Sequence, residues 1–377
     1  MAKKVLLTYF ESGMGHITSI QSIRDSLAKY SPAVDIVESR VMREGNDKKM
    51  IGYENFIIKN TQLTNSIKGY GNMCFSLLGA FGLNFFRLLH KTTFRKATNG
   101  VLEYFESQHP DVIVSTHYYM TYCALEYKKS NPDVEVVTYN PDNNVHMWWD
   151  NRDGAFFVNN DIAYRQAIDR HFAKERVFQV PCATRKCILD SIEDKAYYRK
   201  KYALPDKFTV IVADGAYAKA KSDLVTSYLL NTDRELSIIF VAGKNEKMYK
   251  KYVAISQDLP ANVTLRVLPF TANIHEYYCA SDVFICKGGP NAVLDSVYMH
   301  TPVIIDYYAH PIEKATVDYF VDSLGCGKAI YSPMKIKRQI EQWIDDPSLL
   351  QGYVANTYKL DKRDNGADKI ASYIMNC

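Results

Sequence analysis

Two glycine-rich turns constrain the fold of this 377-residue chain more than any other feature. An apolar run at 5–10 leads into the first turn, 11–16, and a run at 283–286 leads into the second, 287–291. A helical pattern follows each turn. A helix that starts there directs unpaired backbone N–H groups and its positive dipole end at one point, which favours phosphate. The turns therefore predict two similar α/β domains facing each other across a cleft, with a phosphorylated donor on one side and an acceptor on the other.

Short β-branched runs alternate with helical patterns along the whole chain, as in buried parallel strands of βαβ units. The runs lie at 5–10, 34–38, 111–115, 134–138, 208–213, 236–242, 263–268, 282–286 and 302–305. We predict the α/β class, with two Rossmann-like parallel-sheet domains. The predicted division is an N-terminal domain at 1–180, a linker at 181–206 and a C-terminal domain at 207–359. The sequence leaves open whether a final helix, 360–377, packs back on the first domain.

Composition narrows the class of protein. The net charge of +4 is too small to indicate nucleic acid by itself, and the eight cysteines show neither a CxxC pair nor metal-ligand spacing. We expect free thiols in a reducing compartment, no metal and no cofactor. The N-terminal apolar stretch is too short for a signal peptide, and no run of 18 apolar residues predicts a spanning helix. These features predict a cytoplasmic protein.

One segment, 55–102, departs from the alternation because it contains no Asp or Glu. An apolar, aromatic stretch framed by cations is typical of a helix that lies in an anionic membrane surface. We predict peripheral attachment to the inner face of the cell membrane. The alternative is a core helix hairpin whose cations coat its exposed ends. The predicted membrane residues are Phe81, Leu83, Phe85, Phe86, Arg87, Lys91, Arg95 and Lys96.

Five short motifs occur in order and at compatible spacing, at 13–16, 110–117, 242–247, 262–276 and 287–295. The first reads G-M-G-H, the second P-D-V-I-V-S-T-H, and the last K-G-G-P-N-A-V-L-D. Together they resemble the motifs of GT-B glycosyltransferases, in the branch of monogalactosyldiacylglycerol synthases and bacterial diacylglycerol glucosyltransferases. The motifs resemble those of MurG-like enzymes of glycosyltransferase family 28 more distantly.

The resemblance implies a nucleotide-sugar donor, usually UDP-linked, in the C-terminal half and a lipid acceptor such as diacylglycerol in the N-terminal half. It implies transfer of a hexose with inversion and without a metal. Phe270 would meet uracil through its backbone, 289–291 the diphosphate, Asp295 the ribose and Glu313 the sugar. His16 follows the two glycines of the first turn and is the candidate for the acceptor side, either as a base or as a phosphate or lipid contact. As a base, its neutral imidazole would take the proton of an acceptor hydroxyl.

The full predicted sets combine residues of these motifs and Glu313 with Gly215, in a turn after a predicted strand, and His146, which follows the fourth predicted strand. The donor set comprises Gly215, Gly243, Asn245, Phe270, Lys287, Gly288, Gly289, Pro290, Asn291, Asp295 and Glu313. The acceptor set comprises Gly13, Gly15, His117 and His146, with His16 as the catalytic base.

Four positions depart from the family pattern. Asp295 stands where the family has Glu, Ile312 where it has Gln, and Tyr139 where it has Asp. Gly215 is the one glycine left in a turn that the family makes glycine-rich. Since these changes concern the donor sugar, we expect a different or modified sugar rather than loss of activity.

Three other functions remain open from the sequence. The same fold could act on a soluble acceptor, in which case the acid-free segment is a core hairpin. A catalytically silent protein could retain the nucleotide pocket as a sensor. A GT-B-like epimerase could act on a nucleotide-sugar without transferring it, but it would leave the acid-free segment unexplained.

Overall fold

A computed structural model describes residues 2–10, 14–45, 47–66, 73, 81–215 and 219–377. The chain divides into two compact units. The N-terminal unit contains Met1–Leu189, Ala309–Ala315 and Arg363–Cys377, and the C-terminal unit contains Asp190–Tyr308 and Thr316–Lys362.

The N-terminal unit contains a parallel six-stranded sheet in the order β2-β1-β3-β4-β5-β6. Its strands are β1 (Lys3–Thr8), β2 (Val34–Ser39), β3 (Val112–Ser115), β4 (Glu135–Asn140), β5 (Ala155–Val158) and β6 (Val177–Gln179). Its helices are α1 (Met14–Leu27), α2 (Val41–Glu44), α3 (Lys48–Ser66), α4 (Gly82–Lys91), α5 (Arg95–Gln108), α6 (Tyr118–Lys128), α7 (Asp161–Asp169) and α8 (Lys186–Leu189).

The C-terminal unit repeats this plan with the strand order β12-β11-β10-β7-β8-β9, again all parallel. Its strands are β7 (Phe208–Ala213), β8 (Leu236–Gly243), β9 (Val263–Pro269), β10 (Val283–Lys287), β11 (Val303–Tyr307) and β12 (Gly327–Ala329). The helices are α9 (Lys195–Lys201), α10 (Ala220–Leu229), α11 (Glu246–Ile255), α12 (Ile274–Ala280), α13 (Pro290–Tyr298), α14 (Pro311–Thr316), which spans the division, α15 (Pro333–Asp345) and α16 (Ser348–Thr357).

The predicted α/β class with two parallel sheets is confirmed. The nine predicted runs coincide with strands because each is long enough to cross a sheet buried on both faces. The strands β5, β6 and β12 were not predicted. They contain three or four residues, and periodicity alone does not identify apolar runs this short as strands.

The last helix, α17 (Gly366–Asn376), belongs to the N-terminal unit. Ile370 and Ile374 are fully buried in the same apolar cluster as Ile20 and Ile23 of α1. The ammonium of Lys3 donates a hydrogen bond of 2.9 Å to the Ile374 carbonyl. The N-terminal sheet is therefore covered on one face by two helices from opposite ends of the chain.

The N-terminal unit extends past the predicted boundary at residue 180. The Ala183 N–H donates to the Tyr139 hydroxyl at 3.0 Å, and the Thr184 N–H donates to Asn365 Oδ1 at 2.9 Å. These bonds attach the segment after β6 to β4 and to the start of α17. Charge and proline content, which placed the boundary in the sequence, contain no information on such bonds.

We predict that Gly366→Ala destabilises the N-terminal unit by roughly 1–3 kcal/mol. A Cβ at this position would lie 1.8 Å from the Pro181 carbonyl oxygen, so backbone must move. Gly352→Ala is the matched control, since nothing lies within 4 Å of a Cβ there. It should stabilise α16 by about 0.5–1 kcal/mol through helix propensity. Urea denaturation measures both, and equal effects of the two changes would contradict the packing of α17.

Candidate functional site

The strand order places the main site of the N-terminal unit at one point of its sheet. Strand β1 lies between β2 and β3, so the connections that follow β1 and β3 leave in opposite directions. Open α/β sheets bind ligands at the carboxyl ends of strands beside such a switch point. His16, in the first turn of α1, and His117, which precedes α6, lie at these two strand ends, with ring centres 5.0 Å apart.

The His16 ring is held in one tautomer. Its Nδ1 lies 2.5 Å from the carbonyl oxygen of Thr116, which can only accept, so Nδ1 carries the proton and Nε2 has a lone pair. The Thr116 hydroxyl donates in turn to the His16 carbonyl at 3.0 Å. Burial lowers the pKa of His16 to about 4, and the bond to Thr116 offsets this only in part. The ring is therefore a neutral proton acceptor at physiological pH.

Two further histidines, His117 and His146, are positioned by backbone groups. His117 caps α6, with Nδ1 accepting from the Tyr119 N–H at 3.3 Å, and His146 Nδ1 accepts from the Trp148 N–H at 3.3 Å. The Tyr118 ring lies 4.2 Å from the His117 ring and 5.2 Å from the His146 ring. Burial lowers the pKa of His117 far below its ordinary value and that of His146 to about 3. We call His16, His117 and His146 the histidine cluster.

Of the predicted acceptor glycines, Gly15 lies in the first turn of α1. Gly13 lies outside the described residues, so its predicted role stays a prediction.

The structure adds two residues that the sequence reasoning missed, Asp142 and His310. Burial, with the charge of Glu313, raises the pKa of Asp142 to about 7, and His310 lowers the pKa of His146. Glu313 Oε2 accepts from the Ala309 N–H at 2.8 Å. Glu313, which the sequence predicted at the donor sugar, lies in Ala309–Ala315, a segment that belongs to the N-terminal unit. Asp142 was detectable as a carboxylate in the connection that follows the predicted strand at 134–138.

The predicted diphosphate loop lies at the switch point of the second sheet, between β7 and β10. Gly289 precedes α13 and Pro290 begins it. The Gly288 N–H already donates to the Tyr307 carbonyl at 2.9 Å, and the Gly289 N–H to the Lys287 carbonyl at 2.7 Å. Helix N–H groups of a first turn have no intrahelical partner, so the start of α13 rather than the two glycines can meet an anion.

Two buried carboxyls beside this loop were also missed. Asp214 follows β7 and Asp306 lies in β11, with 3% and 1% of their surfaces exposed. Cys286 pairs with Ile305 but Lys287 pairs with Tyr307, so Asp306 is the extra residue of a bulge. Burial raises the pKa of both carboxyls. Bulges occur beside functional sites because they redirect a side chain.

The remaining donor residues lie near other strand ends of this sheet. Gly215 and Gly243 adopt left-handed backbone angles, with φ of +78° and +60°, where glycine is favoured. Asn245 caps α11 by accepting from the Met248 N–H at 3.1 Å. Phe270 follows β9 and is 56% exposed. Asn291 and Asp295 lie in α13, and Asp295 is buried, with 7% of its surface exposed.

The structure corrects the predicted membrane face at Phe86 and Arg87. Phe86 is buried among Tyr118 and Tyr122, with ring centres 5.6 and 5.7 Å away. Arg87 donates two hydrogen bonds to the carboxylate of Asp150, at 3.0 and 2.7 Å. Both residues therefore stabilise the fold and do not face a membrane, because the inner face of α4 packs on α6.

The other predicted membrane residues form an exposed or half-buried surface. Phe81 is 60% exposed, Leu83 and Phe85 are half-buried, and the neighbouring cations are exposed. Leu88 at 56% and Phe56 at 52% exposure extend this surface and were not predicted. We call it the apolar-basic face; it comprises Phe56, Phe81, Leu83, Phe85, Leu88, Lys91, Arg95 and Lys96.

In the ranges that the structure describes, no helix is long and apolar enough to cross a bilayer. Within the same ranges, no group of three or more His, Cys, Asp or Glu side chains is placed to hold a metal ion.

Residues 216–310 match the model of the glycosyltransferase family 28 C-terminal domain. The chain carries a family 28 domain. A probable chloroplastic monogalactosyldiacylglycerol synthase of Nicotiana tabacum is 21% identical over 368 residues, which are 90% of this chain and 64% of that protein. The chain thus spans just under two thirds of that relative.

Solved structures show the fold. MurG of Acinetobacter baumannii matches with a TM-score of 0.64 at 14% identity and covers 100% of both chains. HepE of Anabaena, in complex with UDP, matches with a TM-score of 0.58 at 12% identity over 99% of this chain and 98% of that one. The predicted GT-B fold is confirmed, as is the predicted relationship to galactolipid synthases.

We predict that protonation of His16 destabilises the protein. Because folding lowers its pKa from 6.5 to about 4, the unfolded chain binds the proton first as pH falls. Stability is therefore present above pH 6.5 and is lost as pH falls through about 4. Between these values, the wild type should lose roughly 1–3 kcal/mol more than His16→Asn.

Denaturation at a series of pH values measures this difference. The raised pKa of Asp142 acts in the opposite direction, but it does so in both proteins and therefore cancels in the comparison. Parallel stability curves for the two proteins would show that His16 is not held neutral.

Proposed function

We propose that this protein transfers a hexose from a UDP-linked sugar to the hydroxyl of a lipid such as diacylglycerol, with inversion and without a cofactor. The observation that carries the proposal is the fixed tautomer of His16. Its unprotonated Nε2 is at the switch point of the N-terminal sheet, in a chain related over 90% of its length to a galactolipid synthase.

The chemistry follows from that tautomer. The acceptor hydroxyl gives its proton to Nε2 of His16 while its oxygen forms a bond to the anomeric carbon of the sugar. The bond from that carbon to the diphosphate oxygen breaks, and the nucleoside diphosphate leaves with the electron pair. Inversion follows from a single displacement at the anomeric carbon.

The donor is proposed to bind in the C-terminal unit. Support comes from the family 28 domain at 216–310 and from the start of α13, whose positive dipole end favours a diphosphate. The HepE neighbour binds UDP in its own structure. The same dipole would stabilise the charge that develops on the leaving diphosphate, which is the usual electrostatic contribution to such a reaction.

The lipid acceptor is proposed from the apolar-basic face. Phe56, Phe81 and Leu88 expose more than half of their surfaces, and large exposed apolar side chains next to cations are typical of interfacial helices. Lys91, at the end of α4, and the cations that follow would attract anionic lipid. Peripheral attachment to the inner face of the cell membrane is the localisation that this proposal implies.

A soluble acceptor is the second candidate, and one observation favours it. Phe86 and His90 of α4 are buried at 7% and 3% exposure, so part of the acid-free segment packs as the core-hairpin alternative requires.

We predict that His16→Ala lowers transfer by roughly 100-fold or more, the usual loss for a positioned base. Wild type and variant are incubated with diacylglycerol vesicles and a panel of UDP-sugars, and products are identified by mass. UDP should raise the melting temperature of both proteins equally, since the base does not bind the donor. A parallel loss of UDP stabilisation would assign His16 to the donor pocket or to the fold. No hexosyl lipid from the wild type would contradict the lipid acceptor.

We predict that replacing Lys91, Arg95 and Lys96 by Gln weakens binding to anionic vesicles roughly 100-fold, since each cation contributes about 1 kcal/mol near such a surface. Vesicle flotation measures this, and wild-type binding should weaken as salt rises. The control replaces three exposed lysines of the C-terminal unit by Gln, with the same change in net charge. They are Lys247, Lys250 and Lys335. Equal release by both triple variants, or no wild-type flotation at any salt, would favour the soluble acceptor.

A further inference from the structure

The ion pair between Arg87 and Asp150 connects two parts of the N-terminal unit with different proposed tasks. Arg87 lies on α4, the helix that follows the exposed Phe81 and carries the exposed Leu88. Asp150 lies on the segment between β4 and β5, which also carries His146. The pair has the two-pronged geometry of a guanidinium on a carboxylate, with distances of 3.0 and 2.7 Å.

The contact is buried at its acidic end. The Asp150 side chain is 1% exposed and the Arg87 side chain 26% exposed. A second guanidinium, from Arg152, lies 3.0 Å from Asp150 and also donates to Glu126 of α6 at 2.8 Å. A buried carboxylate needs such partners, and the loss of one leaves it poorly compensated. Asp150 therefore holds α4, α6 and its own loop in one arrangement.

A single residue, Trp149, links Asp150 to His146 of the histidine cluster. Trp149 precedes Asp150 and is 1% exposed, and its ring centre lies 5.5 Å from that of His146. The Trp149 N–H donates to the His146 carbonyl at 3.2 Å. A movement of Asp150 would thus move the turn that positions His146.

A second set of contacts runs in parallel through the rings of α4. His90 Nε2 lies 2.7 Å from the Tyr53 hydroxyl, and its ring centre lies 4.9 Å from that of Tyr119. Phe86 packs on Tyr118, the ring that bridges His117 and His146. These ring contacts keep α4 packed on α6, whereas the ion pair connects α4 with the His146 loop through charge.

We propose that the Arg87–Asp150 pair is a positioning element, which holds the His146 loop to the helix of the apolar-basic face so that the histidine cluster is ordered for transfer. The proposal deepens the proposed function and rests on it for the identity of the reaction. Arg87 itself touches no reacting atom. Its contribution acts through Asp150 and Trp149 on His146.

The chain contains a closely matched control elsewhere in the same unit. The Glu54 carboxylate is 0% exposed and also meets two guanidinium groups, those of Arg40 at 3.2 Å and Arg43 at 2.5 Å. The Arg40 side chain is 27% exposed, close to the value for Arg87. Arg40→Gln and Arg87→Gln therefore remove equivalent ion pairs, but only the second pair leads to His146.

The first measurement does not depend on activity. In Arg87→Gln, a loosened loop admits water to His146, so its pKa, about 3 in the wild type, should rise towards 6.5 by at least one unit in an NMR titration. Arg40→Gln should leave that titration unchanged, although it should lower the melting temperature about as much as Arg87→Gln does. An unchanged His146 titration in Arg87→Gln would overturn the proposal.

The second measurement is turnover. Arg87→Gln should lower kcat about 10-fold or more and leave the KM for the UDP-sugar unchanged. Arg87→Lys should restore only part of the lost kcat, because an ammonium group cannot donate two parallel hydrogen bonds to a carboxylate as a guanidinium does. Arg40→Gln should keep kcat near wild type. If both Gln variants lose kcat equally, the Arg87–Asp150 pair only stabilises the fold, and the proposal is overturned. If Arg87→Gln does not fold, Asp150→Asn, which keeps the shape of the acid, replaces it in both measurements.

The failure of the lipid acceptor would be visible separately. A wild type that modifies a soluble acceptor and no lipid contradicts the proposed function, and the turnover comparison is then made on that soluble acceptor. A wild type without any transfer activity contradicts the enzyme, and the His146 titration still decides whether the pair orders the loop.

Discussion

The parallel pairing of β1 with β3 is the constraint on which the N-terminal site depends. Thr8 pairs with Ser115, and the Thr8 hydroxyl donates to the Val114 carbonyl at 3.0 Å, so the two strands end together. This register brings the first residues of α1 next to the turn that begins α6. The hydrogen bond from His16 to Thr116, between residues 100 apart in sequence, follows from it. The chemistry of the proposed base is therefore a consequence of strand register.

Much of this arrangement could be predicted because buried parallel strands have continuous apolar sequences. The polar residues that follow such strands lie at the carboxyl edge of the sheet. His16 and His117 were found in this way. Phe86 was assigned wrongly because its burial depends on packing of α4 against α6. Arg87 was assigned wrongly because its acidic partner, Asp150, lies outside the acid-free segment. Long-range pairings of this kind depend on packing that local composition does not encode.

The family departure at Tyr139 also has a structural explanation. Its ring packs in the apolar cluster under α17, and its hydroxyl accepts the Ala183 N–H, so the residue now stabilises the fold. The carboxylate of this segment is instead Asp142, with a pKa raised to about 7 by burial and by Glu313.

The position of α17 has a consequence for how the protein is made. The N-terminal unit needs Ile370 and Ile374 to complete the core beside α1, yet these residues leave the ribosome after the whole C-terminal unit. Domains usually fold in the order of their synthesis. The unit that begins first is therefore completed last, and the part of its apolar face beside α1 that α17 covers stays exposed while the second unit is synthesised.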